Sequence, residues 1–378
     1  MKSRLVFIDL LRGWATIVMI EVHVFNAFII PAFKEIGWFG VLNYINGLVA
    51  PSFLFVAGFV FVIASQRKLE EFRTFGKSFR RQLGRIGLIC VVAYGLHLPF
   101  FSFSRTIHET TESGWLPFYQ ADILHCIALG LLVVFLGRIL IKKDVVYQWY
   151  LILFGSAAVL IAPLIWDVEF VPAIPAVIAA YLNGQHFSQF PVFPWLGFLM
   201  FGAVTAIAYS RWRASEKEME FIRTVGIISG VLIVAGSLLI ELPVRFAGVS
   251  TAIRANPLFF ASRLGIVLLL MLICWYYVEK RKTGRSFVLD VSRESLLVYT
   301  AHLLVIYGRF WNEKGLALWY GGTFGIGQCV MATLGLILLM VASAKTWGWL
   351  KQRSLPAARI VSYATGLIVL LVFFIKKS

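Results

Sequence analysis

The chain has 378 residues, 60% of them hydrophobic and only 14% charged, with a formal net charge of +16. A soluble domain carries about a quarter charged residues, so this balance, with a mean hydropathy of +0.82, excludes an ordinary soluble enzyme and indicates a polytopic membrane protein. The positive excess does not point to nucleic acid, because no soluble domain is left to bind it and membrane proteins collect Lys and Arg in cytoplasmic loops.

About eleven hydrophobic segments are expected from the window rule, near 5–31, 38–65, 82–101, 121–140, 146–166, 189–209, 222–241, 256–278, 294–312, 324–344 and 357–375. No long hydrophilic stretch separates them and no internal repeat is visible, so the expectation is one all-α transmembrane bundle filling a single domain, 1–378. The first segment is interrupted by charge and lacks a small-residue cleavage site, so no cleavable signal peptide is expected. Cations crowd alternate connections: Arg67, Lys68, Arg73, Lys77, Arg80, Arg81 and Arg85; Arg138, Lys142 and Lys143; Arg211, Arg213, Lys217 and Arg223; Lys280, Arg281, Lys282, Arg285 and Arg293; and Lys345, Lys351, Arg353 and Arg359. The stretch 166–190 holds no positive residue. The positive-inside rule then predicts an N-terminus in the cytoplasm and a C-terminus outside.

The first segment carries Asp9, Arg12, Glu21 and His23 inside an apolar run. Charged groups near a bilayer centre cost about 2.5–3.5 kcal/mol on insertion scales, so they persist where they face protein or a wet cavity. Arg12 and His23 are close to three helical turns apart, which places Asp9, Arg12, Thr16, His23 and Asn26 on one stripe, with Glu21 facing elsewhere. Histidine titrates near operating pH, so His23 is a candidate general base. Arg12 suits a phosphate or carboxylate, or pairs with Asp9 one turn away. The bland reading is an Asp9–Arg12 pair that stabilises the helix and a packed His23. In SFRRQLGRIGL, Arg80, Arg81 and Arg85 stand where the third segment leaves the cytoplasm; forked guanidinium groups suit phosphate, while anchoring by the positive-inside rule is the simpler alternative.

Two outer stretches, 101–120 and 166–190, mix aromatics with hydrogen-bonding groups. They suit either a sugar-like ligand or an interfacial aromatic belt, and Pro172 and Pro175 preclude a long helix in the second. Asp122 and His125 are neighbours at i, i+3 near the outer end of the fourth segment and are candidate cavity-wall residues. Cys126 is rotated away from His125, so a Cys–His dyad is weakly supported. The four cysteines form no CxxC pair and indicate neither a zinc site nor a disulfide framework; no metal is expected. In SLLVYTAHLLVIYG, Ser295, Tyr299 and His302 share a face, and Tyr299 and His302 are candidate substrate contacts.

Together these residues resemble the transmembrane acyltransferases. The run RLVFIDLLRGWATIVMIEVH is similar to the R-x10-H signature of the acyltransferase-3 family, falling here on Arg12 and His23. The runs GLVAPSFLFVAG, FPVFPWLGFLMFG and SLLVYTAHLLVIYG resemble the heparan-α-glucosaminide N-acetyltransferase group and its bacterial relatives. The periplasmic glucan succinyltransferases are another relative in this class. The resemblance implies transfer of an acyl group, expected to be acetyl, from cytoplasmic acyl-CoA to a sugar or glycan acceptor across a membrane. It implies a catalytic role for His23 as base or acyl carrier, and a CoA-side role for Arg12 and for Arg81 and Arg85; Arg80, beside them in the basic run, is expected to join the phosphate site. In this chain Asp9 is expected to act with Arg12, and Asn26, Asp122, His125, Tyr299 and His302 on the substrate side. One departure stands out. Lysosomal members place their proposed catalytic histidine on the first lumenal loop, and here that loop (Pro31–Trp38) holds Lys34 and Glu35 but no histidine.

The expected partners are acyl-CoA as co-substrate with no permanently bound cofactor, a carbohydrate acceptor and the lipid bilayer, with no nucleic acid. Association with a second copy of the chain is left open. The expected location is the bacterial cytoplasmic (inner) membrane. The rival class is a secondary transporter using the Asp9, Arg12 and His23 stripe as a proton or ion relay. No repeated halves or paired broken helices support it.

Overall fold

The computed structural model describes residues 5–66, 68–186, 188–240, 249–281, 286–308 and 315–376. Arg67, Lys282 and Arg285 of the loop cations lie outside the described residues, as do Arg4, Ser378 and the ends of the seventh and ninth expected segments, at 241 and 309–312. The principal helices are α1 (Val6–Phe28), α2 (Gly37–Asn46), α3 (Val49–Ser65), α4 (Lys77–Leu96), α5 (Ile123–Leu140), α6 (Asp144–Ile165), α7 (Val192–Ala214), α8 (Glu218–Leu239), α9 (Pro257–Arg281), α10 (Phe287–Arg293), α11 (Ser295–Tyr307), α12 (Ile326–Arg353) and α13 (Leu355–Ile375). No strand occurs among the described residues; Ile29 and Phe324 form an isolated bridge. An all-α architecture follows from the solvent, since a chain crossing hydrocarbon must satisfy its backbone groups within each segment.

Eight of the described helical segments are long and apolar enough to cross a membrane, counting Gly37–Ser65 as one. The polar residues of α1 and α4 keep both out of that set, and α11 is shorter, at 13 residues. The second expected segment divides at Gly47 and Leu48 into α2 and α3. The third begins earlier than its apolar run, at Lys77, so Arg80, Arg81 and Arg85 sit in the first turns of α4 and not in a loop. It also ends earlier, at Leu96, because Pro99 disfavours helical backbone at Leu98. Among its described residues the stretch 166–190 contains only the four-residue helix Ala176–Ala179, as its prolines require.

The chain divides into two compact units. One comprises Met1–Val49, Leu98–Trp115 and Tyr277–Ser378. Its core joins Ile20, Val24, Phe25 and Phe28 of α1 to Phe39, Val291, Val298, Ile306, Cys329, Leu336 and Met340. Helices α1 and α10 approach closely at Gly13, where a Cβ would collide with the carbonyl oxygen of Val288. In the same unit, Phe101 and Phe103 pack on Phe373 of α13, and the Ser102 hydroxyl donates to the Lys376 carbonyl.

The other unit comprises Ala50–His97 and Leu116–Tyr276. Its centre is α7, whose Trp195, Leu196, Phe198, Leu199 and Met200 are buried. Helices α3 and α7 meet through reciprocal glycines: a Cβ on Gly58 would strike the Leu199 carbonyl oxygen, and one on Gly202 the Phe55 carbonyl oxygen. Close backbone approach over small residues is the main route to helix association in lipid, where apolar burial alone provides little drive.

Candidate active site

In the first unit the α1 stripe resolves into two separate arrangements. Asp9 and Arg12 form an ion pair, with Arg12 Nη2 2.9 Å from Asp9 Oδ1. Arg12 Nε also donates to Ser292 Oγ on α10 at 3.0 Å, a contact made possible by the close crossing at Gly13. The Thr16 hydroxyl is buried and donates to the Arg12 carbonyl at 2.8 Å. Asn26 is exposed, and its backbone carbonyl accepts from Lys34 Nζ at 3.0 Å. Glu21, off the stripe, lies at hydrogen-bond distance from the Asn46 amide, 3.5 Å.

Further along α1, His23 meets His302. His302 on α11 is fully buried, and its Nε2 lies 3.2 Å from His23 Nδ1. The ring centroids are 5.0 Å apart. Tyr307 stands edge-on to His23, and Tyr299 edge-on to His302. Two backbone carbonyls determine the protonation pattern. His302 Nδ1 lies 2.7 Å from the Val298 oxygen. A carbonyl only accepts, so Nδ1 carries the hydrogen and Nε2 of the neutral ring is an acceptor. His23 Nδ1 lies 2.9 Å from the Met19 oxygen, so it too is protonated and donates to both Met19 O and His302 Nε2. The lone pair of neutral His23 is thereby assigned to Nε2. His23 and Arg12 are separated by about 16 Å along the helix at 1.5 Å per residue, so they share a face but do not touch the same reacting atoms.

In the second unit, Arg81 and Arg85 are brought together with Lys68, Gln82, Ser65 and Ser78 in one small concavity that also includes Phe61 and Phe72. Arg80 is exposed and is not part of its lining. Glu71 accepts from the N–H of Ser78, one of the lining residues, at 3.0 Å. The Ser78 hydroxyl and then the Ser78 N–H hold its carboxyl below the usual range, with a smaller contribution from Arg81.

The second polar cluster of this unit is built around Asp122, the N-cap of α5. Asp122 Oδ1 accepts from the Leu124 and His125 N–H groups at 2.8 and 3.1 Å and from His125 Nδ1 at 2.8 Å. Its Oδ2 faces His97 Nε2 at 2.9 Å, and the Gln120 amide lies 2.9 Å from the other His97 nitrogen. Burial alone would raise the Asp122 pKa, but the hydrogen bonds from His125 and His97 outweigh it and hold the carboxyl well below the usual range. Tyr94 and Tyr181 join by their hydroxyls at 3.0 Å, and the Tyr94 ring stands edge-on to His125.

Nine of the predicted residues therefore form four groups, Asp9 with Arg12, His23 with His302 and Tyr299, Arg81 with Arg85, and Asp122 with His125, while Arg80 and Asn26 are exposed and join none of them. Sequence reasoning missed His97, whose partners lie more than twenty residues away with no spacing signal. It missed Ser292 for the same reason. Arg263, buried within α9, was open to discovery, because an ionisable residue inside an apolar span is a functional candidate by default.

The family model described as "Heparan-alpha-glucosaminide N-acetyltransferase, catalytic" matches residues 4–243. No curated protein matches the chain.

Proposed function

The chain belongs to the heparan-alpha-glucosaminide N-acetyltransferase catalytic-domain family, and from that premise we propose that it moves an acetyl group from cytoplasmic acetyl-CoA to a glycan acceptor on the outer side of the membrane. It is an integral membrane acetyltransferase. We place it in the bacterial cytoplasmic membrane, and we treat the whole chain as one catalytic domain, because the family match runs through residues of both compact units.

The observation that carries the reading is the tautomer lock on His23. With hydrogen held on Nδ1 by Met19 O and His302 Nε2, Nε2 has a lone pair suited to take a proton from an acceptor hydroxyl or amine. In the proposed step, the acceptor heteroatom attacks the thioester carbonyl as its proton passes to Nε2. The C–S bond then breaks, and the departing thiolate takes that proton, leaving an acetylated acceptor and CoA. Protonated His23 keeps Nδ1–H on two acceptors, which favours the imidazolium while it exists. Attack by Nε2 itself, giving an acetyl-histidine, uses the same lone pair, and only that route gives ping-pong kinetics.

Arg81 and Arg85 are proposed to hold CoA phosphate, supported by their convergence with Lys68, Gln82 and Ser65. Arg80 contributes only charge at the same helix end. Asp9 orients Arg12 for an anionic part of the donor. Asn26, Asp122, His125, Tyr299 and His302 remain proposed on the acceptor side, His302 acting through His23.

Release of free CoA from acetyl-CoA and succinyl-CoA by the purified protein, with and without oligosaccharide acceptors, tests this reading. Acceptor-dependent release is expected, fastest with acetyl-CoA and slower with the donor lacking the 3′-phosphate. A protein that transports sugar but never consumes the thioester would contradict it.

A further inference from the structure

The His97, Asp122 and His125 cluster holds more donor atoms than a helix cap needs. Capping of α5 is complete with Asp122 and His125 alone; His97 and Gln120 take no part in it. The three side chains offer ligand atoms that lie within 4.8 Å of one another. The cluster is enclosed, with His125 fully buried and the Asp122 and His97 side chains 13% and 17% exposed. We propose that these three residues form a binding site for a borderline divalent transition-metal ion of the zinc class.

The donor chemistry selects that class. Two imidazoles and one carboxylate suit zinc, cobalt or iron, whereas magnesium and calcium require oxygen ligands. Zinc bonds to histidine nitrogen and carboxylate oxygen at about 2.0–2.2 Å, so tetrahedral ligand atoms sit about 3.4 Å apart. The present His97 Nε2–Asp122 Oδ2 and His125 Nδ1–Asp122 Oδ1 separations are 2.9 and 2.8 Å, so admission of an ion requires an opening of about half an ångström.

The surrounding groups already fix the ligands. Two backbone N–H groups anchor Asp122. Metal-bound histidines direct their second nitrogen to a carbonyl or carboxylate, and Gln120 occupies that position on His97. When Nε2 holds the ion, the His97 proton moves to Nδ1 and the Gln120 amide rotates to accept it, so both His97 nitrogens stay satisfied.

Once an ion takes His125 Nδ1, that ring's hydrogen moves to Nε2, which is buried and has no hydrogen-bond partner among the described residues, so its N–H then needs a water or a ligand group. Three protein ligands also leave a coordination position for water or a hydroxyl-bearing ligand.

The experiment uses untagged, detergent-purified full-length protein stripped with chelator and dialysed against Zn2+, Co2+ or Mg2+. The expected result is one equivalent of Zn2+ or Co2+ retained and no Mg2+, visible absorption bands from bound Co2+, and a rise in Tm with Zn2+. His97→Gln and Asp122→Asn should weaken retention at least about tenfold, while His23→Gln retains the full equivalent. Stripped wild type that takes up no Zn2+ and shows no Tm shift would overturn the site, even if the variants fail to fold. Unchanged retention in a monodisperse His97→Gln variant would overturn it as well. None of these readouts uses acetyl transfer, so the failure of this site and the failure of the proposed reaction are separate outcomes.

Discussion

At His23 the chemistry depends on which nitrogen carries the hydrogen, and that is decided by oxygen atoms no sequence motif displays. The helical period put His23 and Arg12 on one face, and this much was legible from spacing. The partner of His23 was not legible, because His302 lies 279 positions along the chain and its spacing marked it only as a candidate substrate contact. The structure places it against His23 with its own Nδ1–H committed to Val298 O. Its proposed role is therefore one of positioning. His302→Gln removes one acceptor from His23 Nδ1–H but leaves Met19 O. A net hydrogen bond is worth about 0.5–1.5 kcal/mol, so turnover should fall about threefold to tenfold, with KM for acetyl-CoA unchanged and the acidic limb of the pH–rate profile displaced. Steady-state kinetics across pH checks this. A merely structural histidine would lower yield and Tm without moving the profile.

Among the helices, the runs that suggested a family turn out to be packing devices. GLVAPSFLFVAG ends at Gly58 and FPVFPWLGFLMFG ends at Gly202, and each glycine receives the other helix's backbone. Sequence could identify the runs but not their mutual contact, because a glycine in an apolar stretch looks the same whether it faces lipid or backbone. The start of α4 was misplaced for a related reason: hydropathy finds where a helix enters lipid, whereas hydrogen bonding continues through Arg81 and Arg80 to Lys77. Gly58→Ala should therefore overpack the α3–α7 contact and cost about 1–3 kcal/mol or more, lowering Tm in detergent. Gly84→Ala, on α4 with nothing within 4 Å of its Cβ position, should leave Tm unchanged or slightly raised. Equal responses of the two variants would refute the packing assignment.

For the whole molecule, class and membrane character were legible because both rest on composition, and the helices overlap the apolar segments, although their ends differ by several residues and the second segment divides in two. The division into two compact units was not legible, since each unit gathers segments distant in sequence. Orientation is a separate proposal based on the alternating cationic connections. A reporter inserted in the 66–80 connection should be cytoplasmic, and one fused after Ser378 should be outside. A cytoplasmic C-terminal reporter would mean an even number of crossings.

The central claim is that His23 performs the acid–base step of acetyl transfer, and a single-turnover measurement tests it most directly. Labelled acetyl-CoA is bound to wild type and to His23→Gln, acceptor is added, and transfer of label is followed in time. General-base catalysis contributes typically 10²–10⁴-fold. The account predicts that His23→Gln folds, inserts and binds acetyl-CoA as wild type does but transfers label at least about a hundredfold more slowly. Transfer by His23→Gln at close to the wild-type rate would contradict it.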